Sequence, residues 1–358
     1  MLYIFDENIE FKGIVEAYFS FRWIRRYSKC GEFEIYIGAT EKNIELLNKG
    51  NIIYKKDDTE AGYINYIHLK QGVESKESLI VKGKFLSGYL SQRIIWGTYV
   101  FKSTAELVIH KLIQDNCICP ENEYRKINNL ELGELKNYLD STEYQVSYKN
   151  LLDEIEKLAS TNELGFRSNL DIGNKKIIFE IYKGLDRTAG QNTNPPAIFA
   201  KEFENILEQE YIDSSNNLKN VALIAGEGEG EERQRVAIGQ SVGLERHELY
   251  VDARDLQKGE TSETDYIKIL ENRGFIKLAQ NTDIKSFDSK VNLNSNLKYK
   301  IDFDLGDIVT CTSKKWKITI NTRITEIEEV HSSNGRKINV KFGNDLPTLT
   351  EKIKAVLN

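Results

Sequence analysis

Val15-Glu16-Ala17-Tyr18-Phe19-Ser20-Phe21-Arg22-Trp23 alternates along its length. Val15, Ala17, Phe19, Phe21 and Trp23 fall on one side, and Glu16, Tyr18, Ser20 and Arg22 on the other. A period of two is the mark of a half-buried β-strand. Past a turn at Cys30-Gly31, Phe33, Ile35 and Ile37 alternate with Glu34 and Tyr36, which predicts a second strand. Further strands are expected at 51–54, 62–69 and 78–84. Short sequential strands joined by turn residues indicate an antiparallel barrel or sandwich.

The middle of the chain mixes helix and strand. Ser103 and Glu106 have capping-box spacing, and the helix after them would bury Leu107, Ile109, Leu112 and Ile113. A second helix is expected over 147–160, with Leu151, Leu152, Ile155 and Leu158 at helical spacing. A hairpin follows, 166–170 to 176–182, turning at 171–174. Strands then recur at 205–214, 220–225, 235–240, 248–252, 285–291, 308–312, 316–330 and 336–342. One helix, 262–273, interrupts them and opens with Ser-x-x-Asp. Ser333-Asn334-Gly335 is a hairpin turn, because Asn-Gly tolerates positive φ. A short helix is expected over 349–357. The chain therefore reads as α+β and mainly β, with an α/β middle between two β-rich regions. The expected domains are 1–100, 101–199, 200–345 with the helix 262–273 inserted, and a tail over 346–358.

Composition narrows the function. At 358 residues, 40% hydrophobic and 29% charged, the chain is globular and long enough for two or three cores. With 49 basic and 55 acidic residues the net charge is −6, which argues against a general nucleic-acid binder. The start, Met1-Leu2-Tyr3-Ile4-Phe5-Asp6-Glu7, lacks the basic and apolar segments of a signal peptide. No run approaches the ~18 apolar residues of a membrane helix. Cys30, Cys117, Cys119 and Cys311 are too few and scattered for a disulfide framework, so reduced thiols and cytoplasmic synthesis are expected. Four histidines are few for acid/base chemistry.

The most conspicuous string is Asn220-Val221-Ala222-Leu223-Ile224-Ala225-Gly226-Glu227-Gly228-Glu229-Gly230-Glu231-Glu232-Arg233. A strand entering a glycine-rich loop is the outline of a phosphate cradle. Four glutamates would repel phosphate, however, the Lys-[Ser/Thr] of a P-loop is missing, and Arg235-Val236-Ala237-Ile238 reads as a strand, not a helix. An acidic hairpin tip fits better. A divalent cation is a minor option, since the loop is oxygen-rich but lacks EF-hand spacing. Cys117-Ile118-Cys119 with His110 has the wrong spacing for structural zinc and no second pair, so two half-buried thiols are expected. His68, His110, His247 and His331 sit in no recognisable nucleophile motif. Phe21-Arg22-Trp23-Ile24-Arg25-Arg26-Tyr27 reads as a core-facing strand with a basic end rather than a nucleic-acid surface.

Several segments, in order, resemble the siphovirus-type tail baseplate-hub proteins of phages and prophages. They are Trp23-Ile24-Arg25-Arg26-Tyr27 with Gly31-Glu32-Phe33-Glu34-Ile35, and Val81-Lys82-Gly83-Lys84-Phe85-Leu86 leading to Gln92-Arg93-Ile94-Ile95. The run from Val221 to Arg233 follows, then Gly243-Leu244-Glu245-Arg246-His247-Glu248-Leu249-Tyr250-Val251-Asp252-Ala253-Arg254, and last Leu305-Gly306-Asp307-Ile308-Val309. The resemblance implies the architecture of the central hub of T-even phages and of tailocins. That means two tail-tube-like antiparallel β-barrel domains in one chain, an α/β middle segment, and three chains in a ring. It implies a structural subunit of a virion or tail-like particle, made in the host cytoplasm. The implied partners are further copies in a homotrimer, the tail-tube protein, a spike or fibre protein and the tape-measure protein, with no membrane and no specific nucleic acid. It implies no catalytic, cofactor-binding or metal residue. Gly226, Gly228, Gly230, Arg233, Arg246, Glu248 and Asp252 are its motif or interface candidates. The alternative is a tail-associated peptidase or peptidoglycan hydrolase. A third, a carbohydrate-binding tail protein, rests only on 18 tyrosines and 3 tryptophans.

Overall fold

The computed structural model describes residues 1–71, 77–139, 141–292 and 294–343. The helix expected over 349–357 and the tail over 346–358 lie outside them. The described chain is mainly β with an α+β arrangement. It divides into two compact units made of non-consecutive stretches. The first comprises Met1–Lys183, Lys219–Gln280 and Glu328–Arg336; the second comprises Gly184–Leu218, Asn281–Ile327 and the residues from Lys337 onward. None of the helices among the described residues is long and apolar enough to cross a membrane.

The main sheet of the first unit runs Ser20–Arg26, Glu32–Gly38, Glu77–Phe85, Ala61–Gln71, Ile52–Lys55, Leu2–Phe5, Phe11–Val15, all antiparallel. Phe33, Ile35 and Ile37 are buried, as their alternation predicts. The stretch 15–23 is not one strand. Val15 ends the last strand of this order and Ser20 begins the first. Residues 16–19 form a corner between them, which leaves Ala17 and Phe19 exposed, with the Phe19 ring tilted against Tyr36 at 5.0 Å. Alternation cannot register a change of partner, so the period of two runs through the corner unbroken.

That corner constrains the sheet. Seven strands side by side and flat would hold their outer members roughly 29 Å apart. The five Cα steps from Val15 to Ser20 reach at most roughly 18 Å. The sheet must therefore curl until its ends approach. No pairing among the described residues joins Phe11–Val15 to Ser20–Arg26, and on the free side of Ser20–Arg26 the first unit adds Glu328, 2.6 Å from Arg22. As a hydrogen-bonded object the sheet stays open. Inside the curl, Trp23 is fully buried, with its ring 4.3 Å from Phe85 and 6.0 Å from Phe33.

Two helices pack against this core. The first is Ala105–Ile113, and its N-cap is Thr104, not Ser103: the Thr104 hydroxyl accepts from the Leu107 amide at 3.3 Å. Glu106 does not close a capping box. It is buried and accepts from the Lys136 and Tyr138 amides at 2.7 and 3.1 Å. The one-residue shift buries Val108, Ile109, Leu112 and Ile113 and turns Leu107 outward. The second helix starts later than expected, at Leu151–Thr161, because Asn150 caps it; Leu151, Leu152, Ile155 and Leu158 are buried as predicted. The hairpin Gly165–Asp171 to Lys176–Tyr182 matches its expected place. The pair Thr98–Thr104 and Ser141–Ser147 was not anticipated.

The second unit pairs Ile206–Ser214 with Ile284–Val291, and Ile308–Ser313 with Ile318–Ser332. Phe199, Phe287, Phe303 and Phe342 fill its core, with Phe199 4.9 Å from Phe342 and 5.1 Å from Phe303. The last hairpin, Ile318–Ser332 and Gly335–Gly343, turns at Asn334-Gly335 with Gly335 at φ 94°.

Candidate functional site

The glycine–glutamate loop sits on a small sheet within the first unit. Val221–Ala225 is its central strand, antiparallel to Arg235–Ile238 and parallel to Glu248–Asp252. The helix Glu263–Ala279, capped by Ser262, covers one face through Tyr266, Ile269 and Leu270. Gly274 lets that helix come close: a Cβ there would lie 2.6 Å from Ile224 Cδ1 and 2.7 Å from Ile238 Cδ1.

The loop over 226–234 closes a hairpin, as its sequence predicts. The Gly226 amide donates to Gln234 O at 2.9 Å. Gly228 and Gly230 take φ of 101° and 54°, where a side chain would be strained. Gly226 is required by crowding, since a Cβ would stand 2.4 Å from the Tyr266 hydroxyl. That hydroxyl accepts from the Glu227 amide at 2.9 Å and donates to Leu256 O at 2.8 Å, stapling the loop to the helix. Burial raises its pKa above the usual tyrosine value.

Arg233 organises the rest. Its guanidinium donates to Gly226 O, Ala225 O and the Tyr250 hydroxyl, each at 2.7 Å, and pairs with Asp252. Arg254 grips the same carboxylate at 2.6 to 3.1 Å. Hydrogen bonds from Arg254 are the largest influence on Asp252. Together with those from Arg233 they override its modest burial and hold it at about 2. The structure thus gathers Gly226, Arg233 and Asp252 into one network. Arg246 and Glu248 stand apart as a surface pair at 2.6 Å, with Arg246 also donating to Ser241 O. Tyr250, Tyr266 and Arg254 belong to the network, but no local spacing announces them.

The chemistry of the loop does not suit phosphate. The amides of Gly226, Glu227, Glu232 and Gln234 are already taken, and the chain continues into a strand rather than a helix. Glu229, Glu231 and Glu232 are exposed. Among the described residues, no group of three or more His, Cys, Asp or Glu side chains could hold a metal ion. Cys117 and Cys119 are not a matched half-buried pair. Cys117 is buried in a π-turn after the first helix, and Cys119 is exposed. Burial pushes the Cys30 and Cys117 thiols up to about 12 and Cys311 well above its usual value, so none is a ready nucleophile. Burial also lowers His110.

Over residues 1–344 the sequence matches a family described as Siphovirus ReqiPepy6 Gp37-like protein. No curated protein matches at the sequence level. Among solved structures, the chain shares its fold with a tail protein from Neisseria meningitidis MC58, at TM-score 0.59 and 11% identity over 96% of both chains. The 43 kDa tail protein of prophage MuSo2 from Shewanella oneidensis gives TM-score 0.59 and 9% identity, over 95% of this chain and 97% of that one. Prophage tail protein gp18 from Listeria monocytogenes EGD-e gives 0.57 and 12%, over 100% and 99%.

Proposed function

Because the chain belongs to the Siphovirus ReqiPepy6 Gp37-like family, we propose that it is a structural baseplate-hub subunit joining the distal tail tube to the spike or fibre apparatus of a phage tail or tail-like particle. One observation carries this reading: the family match and the fold likeness to tail proteins both run over nearly the whole chain. The particle is a virion tail or a relative of it, and its parts are made in the host cytoplasm.

A tail tube has sixfold symmetry and spikes are commonly trimeric. A homotrimer whose chains each carry two tube-like domains resolves that mismatch. Residues 1–100 are the first such domain, and the curl forced by the corner at 16–19 supports it. Residues 200–345 supply the second, and 101–199 are inserted between them. The tube protein, the spike or fibre and the tape-measure protein are the neighbours. Gly226, Gly228, Gly230, Arg233, Arg246, Glu248 and Asp252 mark an interface rather than a reaction centre. The buried thiols and the already engaged loop amides favour a role without chemistry.

Cryo-electron microscopy of assembled tails tests this. Three copies in a closed C3 ring around an axial channel are expected. Six copies in one ring, or one copy per tail, would defeat the two-domain argument. Zymography on cell walls should show no clearing; clearing would restore the hydrolase reading.

A further inference from the structure

The small sheet has a bare face. Opposite its helix, Leu223 and Tyr250 are register partners, Ala237 flanks Leu223 on the other side, and all three are exposed. The connection beyond them exposes Val242 and, fully, Leu244. Apolar side chains grouped in this way are normally covered by a partner. Around them acids outnumber the uncommitted cations; Arg235, on the same face as Ala237, is exposed and donates to Gly230 O at 2.7 Å. Arg233 and Arg254 are committed to Asp252, and Arg246 to Glu248. The carboxylates of Glu227, Glu229, Glu231 and Glu232 make no hydrogen bond or ion pair among the described residues.

The second unit carries the converse. The turn between Ile308–Ser313 and Ile318–Ser332 reads Lys314-Lys315-Trp316-Lys317, and all four side chains are exposed. Lys317 sits at φ 56° and its amide donates to Lys314 O at 3.3 Å, so the turn is closed and holds the indole outward. The three ammonium groups have no ion pair among the described residues. Tryptophan is among the residues most often found as interface anchors, and the lysines around it complement in charge the glutamates beside the bare face.

We infer that the 314–317 hairpin of one copy docks on the Leu223–Tyr250 face of the next, with Trp316 among Leu223, Tyr250 and Leu244 and the lysines against the glutamates. Two different surfaces of one chain make a head-to-tail contact, which closes into a ring when the rotation allows. The inference rests on the hub reading, but it specifies a surface that the reading leaves open.

The test uses the full chain at its highest soluble concentration and low salt. Association is followed by sedimentation velocity, with thermal melting as a check on folding. Lys314→Glu/Lys315→Glu/Lys317→Glu should weaken self-association about tenfold or more, as should Glu229→Lys/Glu231→Lys/Glu232→Lys. Mixing the two variants should restore the contact between unlike chains, giving mixed dimers but no closed ring of three, in which two like variants would have to meet. In a Cys119→Ser background, Leu244→Cys with Trp316→Cys should give disulfide-linked dimers and larger species on a non-reducing gel. Wild-type association that both reversals leave intact would overturn this surface while leaving the ring reading standing. A disulfide formed at monomer mass would show that the hairpin meets its own chain, and would overturn the second copy as occupant. A wild-type chain that never associates, alone or in an assembled tail, would sink both the contact and the ring.

Discussion

Asp252, at the end of the small sheet's outer strand, and Glu329, near the tip of the last hairpin, are both held at about 2. They reach that value differently. At Asp252 the hydrogen bonds from Arg254 come first, and the side chain stays 41% exposed. At Glu329 burial is the largest influence and acts upward. The hydrogen bond with His331 and the charges of Lys55 and Arg336 overcome it, with the side chain 0% exposed. Lys55 Nζ lies 3.1 Å from Oε1 and 3.3 Å from Oε2, with hydrogen-bond geometry only to Oε2; Arg336 donates to Oε2 at 2.9 Å. Lys55 also lies 3.5 Å from Asp58, which accepts from the Trp23 indole at 3.1 Å. Equal acidity therefore conceals unequal weight. Water and salt screen the Asp252 cluster, whereas the Glu329 cluster is part of the core of the first unit.

The largest effect should follow from breaking the buried cluster. Glu329→Ala strands Lys55 beside Asp58 with too little negative charge, and a loss of about 3–5 kcal/mol is expected in denaturant unfolding. A loss below about 1 kcal/mol would put Glu329 on the same footing as an exposed pair and end the contrast.

Next comes pH. The folded Glu329 is held at about 2 against an ordinary 4.5. Its contribution is therefore fully present above the unfolded value and is lost as pH falls through the folded one. Between pH ~4.5 and ~2 the wild type should lose on the order of 3 kcal/mol that Glu329→Gln does not lose. Parallel stability curves for the two proteins would refute this assignment. Asp252→Asn should change the acid limb much less, because its shift arises at the surface.

Arg233→Ala is intermediate. Its side chain is only 13% exposed and satisfies two backbone carbonyls, so a loss of about 1–2 kcal/mol is expected, together with faster amide exchange in the loop over 226–234. Unchanged exchange would mean that Tyr266 alone holds the loop.

The two clusters also differ in how far the sequence foretells them. The acidic hairpin is legible because everything that defines it is local: glycines, glutamates and two flanking strands within fourteen residues, 220–233. The Glu329 cluster is not. Glu329 lies among acids on a strand, in a pattern that reads as a solvated face, and its partner Lys55 is 274 positions away. Phe33, Ile35 and Ile37 were legible because alternation reports burial on one sheet. The corner at 16–19 was not, because alternation says nothing about which strand lies alongside. The kinship with siphovirus-type tail proteins was visible in the ordered segments and is borne out by the family match.

The smallest effect is expected where charge is densest. Replacing Glu227, Glu229, Glu231 and Glu232 with glutamine removes four charges, but none of these carboxylates makes a hydrogen bond or ion pair among the described residues. The loop's shape comes from Arg233, Tyr266 and the φ values of Gly228 and Gly230, all of which the substitutions leave in place. Stability should stay within about 0.5 kcal/mol of wild type, and removal of mutual repulsion could raise it slightly. Addition of ATP or GTP should change neither protein, since the Gly226, Glu227, Glu232 and Gln234 amides are engaged and no helix follows the loop. Saturable nucleotide binding that disappears in the glutamine variant would make the loop a ligand site. Weak calcium binding that disappears would recast the four acids as oxygen donors. If neither ligand binds and stability holds, the densest charge on the small sheet contributes little to folding, and its effect must be sought in what the loop meets outside its own chain.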